Sequence, residues 1–285
     1  MSAPPEHLDE RGAPARIGPA QVAAAAALVR SGRVVDRAMP LGPETPVPGP
    51  RHGLVRFMTR DGGDYAAGAR RPGGFQFAED TVLLPTHIGT HVDALAHVWH
   101  DDHLYGGHPQ ETIRSTTGAQ HCGADKLGPI VARGVLLDVA TDREPAAGEA
   151  IGADDLARAA DAAGIAVEPG DVVLVRTGWL GRTGHDARAY YAGEPGLDLS
   201  AARRLADAGV AAIGCDNFAV EPLPFADGEA FPVHQFLLAD RGVPLLEGVV
   251  LDELAGLATG PFLFVALPLP LVGSTASPVT PVAVL

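Results

Sequence analysis

Short apolar runs of β type recur at residues 81–84, 135–139, 172–175, 210–213 and 262–267, with helical patterns between some of them. A chain patterned this way is restricted to strands interleaved with helices, so the expected fold class is α/β: a mixed β-sheet with flanking helices. Helices are expected over 21–30, closed by Gly32; over 155–163, with Asp154 as N-cap and Gly164 past the end; and over 201–208, between Ser200 and Gly209. The last leads straight into 210–213, whose strand ends at Cys215 and Asp216. Ligands gather at strand ends in such sheets, which makes Asp216 and Asn217 candidate site residues. One domain is expected over 17–285, preceded by a flexible, polar, Pro-rich segment over 1–16. Residues 42–74, rich in Pro, Gly and Arg, have the make-up of a binding loop or lid.

A formal charge of −14 repels phosphate backbones and anionic headgroups, so neither nucleic acid nor a membrane surface is an expected partner. Cys122 and Cys215 are far apart and form no CxxC pair, which leaves no cysteine-rich zinc site and fits a reducing cytoplasm. The apolar stretch 262–272 is interrupted by Pro268 and Pro270 and is too short to span a bilayer.

Six of the eleven histidines (His87, His91, His97, His100, His103 and His108) fall between residues 87 and 108, where even scatter would place about one. In an extended chain His87, Gly89, His91, Asp93 and His97 share one face, because side chains alternate with period two. Two imidazoles and a carboxylate suit Zn²⁺, Mn²⁺ or Fe²⁺, and three protein ligands leave positions open for water and substrate. Gly89 would let the cation or substrate approach closely, and Thr90 would bond to groups behind the ligands. His97, four residues beyond the aspartate, is the candidate general acid/base. His100, His103 and His108 lie among Asp101, Asp102, Gly106 and Gly107 and read as solvated loop residues.

The run His87-Ile-Gly-Thr-His91-Val-Asp93-Ala-Leu-Ala-His97 resembles the HxGTHxDxxxH signature of the cyclase-like metal hydrolases, a group that includes bacterial kynurenine formamidase and isatin hydrolase. Residues 213–216, His234, residues 245–248, residues 266–269 and residues 276–279 echo the family's later segments. The resemblance implies a swivelling β/β/α fold and a homodimer or higher oligomer. It implies one or two divalent ions per chain, Mn²⁺ or Zn²⁺: His87, His91 and Asp93 would hold one, with Asp93 able to bridge to a second held by His234 and Glu247. His97 would transfer protons. Two departures point away from kynurenine formamidase itself. Leu95 stands where such members commonly carry Pro, and the only tryptophans, Trp99 and Trp179, include no counterpart of their N-terminal one.

The expected reaction is attack of water, activated by the cation, on an amide or cyclic amide (lactam) carbonyl of a small molecule, aromatic or not. No G-x-S-x-G elbow offers a covalent route. Phe57, Phe75, Phe77, Trp99 and Phe218 are candidates for an apolar substrate wall, with Asp216 beside them. A metal-dependent cyclase or dehydratase, and a metal-binding protein without turnover, are the alternative readings.

Overall fold

The computed structural model describes residues 8–49, 51–141, 143–184, 186–225 and 228–285. Its central sheet takes β1 (Val34–Asp36), β2 (His91–Asp93), β3 (Ile130–Asp138), β4 (Val172–Arg176), β5 (Ala212–Cys215), β6 (Leu245–Glu247), β7 (Phe262–Ala266), β8 (Ala276–Pro278) and β9 (Val282–Val284). The spatial order is β1-β9-β7-β3-β4-β5-β6-β2-β8. The run β3-β4-β5-β6 is parallel, and the outer pairings are antiparallel. The sheet is therefore mixed, as the interleaved pattern required.

Both faces of the parallel centre are covered, which is why these strands read as continuous apolar runs. Val173 and Val175 of β4 join one cluster with Val135, Leu137 and Ile213, while Val172 and Leu174 join another with Phe262, Phe264 and Leu246. Each such side chain, taken fully out of water, contributes roughly 1.5–3 kcal/mol. Two helices cover the first face, α1 (Ala153–Ala163) through Leu156 and Ala159, and α2 (Leu199–Asp207) through Ala201, Ala202 and Leu205.

Several expectations shift. The cap of α2 is Asp198, which accepts from the amides of Ser200 and Ala201, and α1 begins two residues earlier, after Gly152, with the Asp155 carboxylate folded back onto the Gly152 amide. At α2 the carboxylate is a stronger acceptor than the expected Ser200 hydroxyl, and at α1 Asp155 rather than Asp154 supplies the carboxylate. The helix expected over 21–30 spans only Pro19–Ala26. The strand expected at 81–84 is Glu79–Leu83, paired with Val55–Arg60 in a hairpin outside the central sheet. The flexible segment expected over 1–16 is anchored from Asp9 onward. Ala13 and Pro14 are buried, and the Ala13 amide donates to the Gly242 carbonyl at 2.6 Å. Gly12 makes this docking possible: a Cβ there would lie 2.1 Å from that carbonyl oxygen. Residues 1–7 of that segment lie outside the described residues.

Candidate metal centre

β2 lies between β6 and β8, and its register places His91 opposite Glu247 and Pro278, and Asp93 opposite Leu245 and Ala276. His91 and Asp93, two residues apart, share one face of the strand, and His91 and Glu247 are direct cross-strand neighbours although 156 positions separate them. The extended segment ends there. His87 arrives through a turn at Gly89, whose φ of 56° favours glycine, and His97 through a second turn closed by its amide on the Ala94 carbonyl. The single extended face expected across 87–97 is thus replaced by two turns flanking a three-residue strand. A Cβ on Gly89 would meet Leu41 Cδ2 at 2.6 Å, so packing against Leu41, not an approaching ligand, demands glycine. Thr90 Oγ1 donates to the Gly248 carbonyl and accepts from the Met39 amide, pinning the turn beside Glu247.

The five residues expected as ligands converge. His87 Nδ1 lies 2.8 Å from Asp93 Oδ1, and His91 Nε2 lies 3.5 Å from that oxygen and 3.1 Å from Glu247 Oε2. On the other side, His234 Nε2 is 3.7 Å from Asp93 Oδ2 and 3.1 Å from Glu247 Oε1, with His97 Nε2 at 3.9 Å from Asp93 Oδ2. Both carboxylates thus turn one oxygen toward His87 and His91 and the other toward His234. Two donors sharing a cation at bonds of about 2.0–2.2 Å stand roughly 3.0–3.5 Å apart, close to these spacings.

The donor set fits cations on independent grounds. Among the described residues, both Asp93 oxygens and His91 Nε2 are buried without a hydrogen bond; the His87–Asp93 approach is short but off the hydrogen-bonding direction. Orphaned buried acceptors of this kind are costly unless an ion satisfies them. Burial opposes ionisation of Asp93, but His97, His87 and His91 outweigh it and hold the carboxyl far below the usual range. Burial likewise disfavours charge on His234, yet hydrogen bonds to Glu221 and Glu247 push its pKa up to about 10. His97 goes the other way: burial, helped by His87 and His234, pulls it down to about 4 against the attraction of Asp93. Its imidazole is neutral at pH 7, and at 27% side-chain exposure it is the most open of the cluster.

Glu221 was not foreseen. Its Oε1 accepts from His234 Nδ1 at 2.6 Å and from the His234 amide, and its Oε2 accepts from the Val233 amide. These bonds fix the ring so that Nε2 faces Glu247. The backbone on either side is forced: Val220 holds φ 61° and Phe231, just before the turn Pro232–His234, holds φ 51°, conformations that side chains adopt at a cost near functional sites. Glu221→Gln is expected to weaken cation affinity about 10–100-fold while leaving the fold intact, measured by titration against a competing chelator.

The expected substrate wall is only partly assembled. Phe218 packs edge-on against Tyr191, with the Arg51 guanidinium 5.9 Å above its ring, and Arg51 Nη1 donates to the His87 carbonyl. Arg51 and Tyr191 carried no motif and were missed. Phe57 and Phe75 stand on or beside the outer hairpin, 53% and 58% exposed, and Trp99 bonds Gln110 on a surface loop, so these three do not wall a pocket within one chain. Asp216 is also corrected: it is buried, and Thr177 and Gly178 supply three hydrogen bonds that saturate it as a brace between β5 and the end of β4. From the 273–278 loop, Thr275 Oγ1 bonds to His87 Nε2 at 3.1 Å.

The fold and site define a mixed α/β protein with two carboxylates set between histidines at the sheet edge. The sequence profile described as "Putative cyclase" matches residues 35–222, and the chain belongs to that family. A crystal structure of a novel cyclase is 31% identical, covers 97% of this chain and 96% of its own, and superposes with a TM-score of 0.89. Isatin hydrolase A from Ralstonia solanacearum shares the fold, with 23% identity, coverage of 88% and 91%, and a TM-score of 0.65. Kynurenine formamidase from Delftia acidovorans is 43% identical over 76 residues, 27% of this chain and 33% of the relative. The match thus spans about a third of that curated relative's length. No described helix is long and apolar enough to cross a membrane.

Proposed function

We propose that this chain is a metal-dependent hydrolase that cleaves an amide or cyclic amide of a small molecule at the His87–His91–Asp93–His234–Glu247 centre. The observation that carries this reading is the pair of carboxylates, Asp93 and Glu247, each offering one oxygen to each of two histidine groups. The two positions would take one divalent ion each, Mn²⁺ or Zn²⁺. Relatives named kynurenine formamidase and isatin hydrolase support C–N hydrolysis as the reaction class. A divalent ion held there lowers the pKa of water toward about 7 and polarises the carbonyl.

The chain's own groups then have defined tasks. His97, neutral and partly open to solvent, accepts a proton at Nε2 as water adds to the carbonyl carbon, and returns it to the nitrogen as the C–N bond breaks. Asp93 faces both histidine groups and keeps His97 within reach. Phe218 and Tyr191 offer an aromatic face that Arg51 links to the His87 carbonyl. His97→Ala is expected to lower kcat by about 10²–10⁴ with cation content unchanged, measured on a panel of formamides, lactams and aryl amides by product mass. A lactam product heavier than its substrate by one water, or an amine and an acid from an acyclic amide whose masses sum to substrate plus water, identifies hydrolysis. Ring closure or dehydration, which the same groups serve, leaves the mass unchanged or lower, and failure of every amide in the panel overturns the reading.

We also propose a homo-oligomer. The Val55–Arg60/Glu79–Leu83 hairpin exposes Val55, Phe57, Met58, Val82 and Leu83, and a two-stranded hairpin has little stability alone in water. Light scattering is expected to give a dimer or larger for the wild type and a smaller species for Phe57→Ser/Leu83→Ser. A monomeric wild type would refute it.

A further inference from the structure

We propose that Glu10, His108 and His121 form a second cation site, distinct from the centre above, that takes a borderline divalent transition ion such as Zn²⁺. Glu10 comes from the N-terminal segment and His108 and His121 from the loops after His97, and one donor atom from each lies within 4.8 Å of the other two. Glu10 Oε1 is 2.9 Å from His121 Nδ1, within the spacing of two ligands on one ion, and the ring of His108 stacks on that of His121 at 3.9 Å between centroids. Two imidazoles and a carboxylate form an open, three-ligand set whose remaining positions fall to water.

The site is held from behind. Glu10 Oε2 accepts from the Cys122 amide, and the segment bearing Glu10 is docked through Ala13 on Gly242. Hydrogen bonding to His121 and Cys122 outweighs burial and keeps the Glu10 carboxyl below its ordinary range, so it presents an anion. His108 follows the turn at Gly106 and Gly107, whose φ values of 76° and 77° bring the chain back toward His121. The parallel rings cannot both aim a lone pair at one ion, so binding requires His108 to rotate out of the stack. Rotation about the Cβ–Cγ bond, a broad torsion for imidazole, turns its nitrogens toward the ion. The neighbouring Cys122 is no ligand: burial and Glu10 push its thiol up to about 12, and Sγ points at the Tyr105 carbonyl.

A cation here would clip the N-terminal segment to the loops following His97. Cys122 also accepts the Ala96 amide through its carbonyl, so the clip backs directly onto the turn that carries His97. Closing loops this long through one ion stabilises the assembled segments by removing freedom from the opened state.

The test is zinc stoichiometry by equilibrium dialysis and mass spectrometry in the Asp93→Asn protein, with and without His121→Ala or His108→Gln. Each added substitution is expected to remove one equivalent, whatever number the parent holds, while circular dichroism is unchanged. Zn²⁺ is also expected to slow amide exchange over residues 9–16 in the wild type at least 10-fold more than in His121→Ala. Unchanged stoichiometry in both variants, or equal exchange, overturns the proposal. Because the readout is a difference made at His108 and His121, it stands or falls independently of the hydrolase reading.

Discussion

Asp93→Asn is expected to lose about 10³-fold in affinity for divalent ions and to fall at least 10³-fold in hydrolysis at cation concentrations that saturate the wild type. Asp93 is wholly buried, and its two oxygens face different histidine groups. Substituting an amide keeps the volume but removes the charge that both positions share, and breaking a buried charged pairing costs about 3–5 kcal/mol, roughly two to four decades. The amide also brings an N–H donor against either His87 or His234. Cation content by mass spectrometry and turnover on the best amide of the panel measure the effect, with circular dichroism as the control for folding. A variant that keeps full cation content and activity within about tenfold would show that Asp93 does not bridge the site.

How much of this was legible in the sequence follows from how local each determinant is. His91 and Asp93 share a strand face, so period-two alternation placed them together correctly. His87 and His97 reach the same point by turns, which alternation cannot represent, so the extended face that grouped them in the sequence named the right residues for the wrong geometry. His234 and Glu247 meet β2 only through strand pairing across the sheet, and they entered by family resemblance alone. Glu221, Arg51 and Tyr191 had no such support. Glu221 is thirteen residues before His234, in a stretch that strain at Val220 bends toward the site, and no periodicity encodes that bend. Asp216 failed in the opposite direction. The rule that ligands collect at strand ends found the right place, but the Thr177–Gly178 turn has its own unpaired donors there and consumes the carboxylate. The hairpin misled for a related reason: Glu79–Leu83 has the β-type residues of a sheet strand, and only the tertiary structure shows that no described residue buries its Val82 and Leu83.

Removing divalent ions with a chelator is expected to lower the thermal midpoint by about 8–16 °C, and the loss is expected to be larger at pH 9 than at pH 6.5. An ion present at a thousand times its dissociation constant contributes about 4 kcal/mol, and domains somewhat smaller than this one shift by roughly 2–4 °C per kcal/mol. The pH dependence follows from His234. In the chelated protein Glu221 and Glu247, working against burial, raise its pKa from 6.5 to about 10. A folded-state pKa above the unfolded value means that the proton's stabilisation is complete below about 6.5 and disappears as pH climbs through 10. Without ions, His234 therefore bridges Glu221 and Glu247 through its two N–H groups at pH 6.5, and begins to leave them uncompensated at pH 9. Ion and proton compete for Nε2, so the loaded protein has no such dependence and the gap between loaded and stripped midpoints widens as pH rises. Differential scanning calorimetry before and after chelation, with restoration by added Mn²⁺ or Zn²⁺, measures that gap. A gap that is constant or narrower at pH 9 would mean that His234 does not contact the ion, and would reassign the second position to His97 and Asp93.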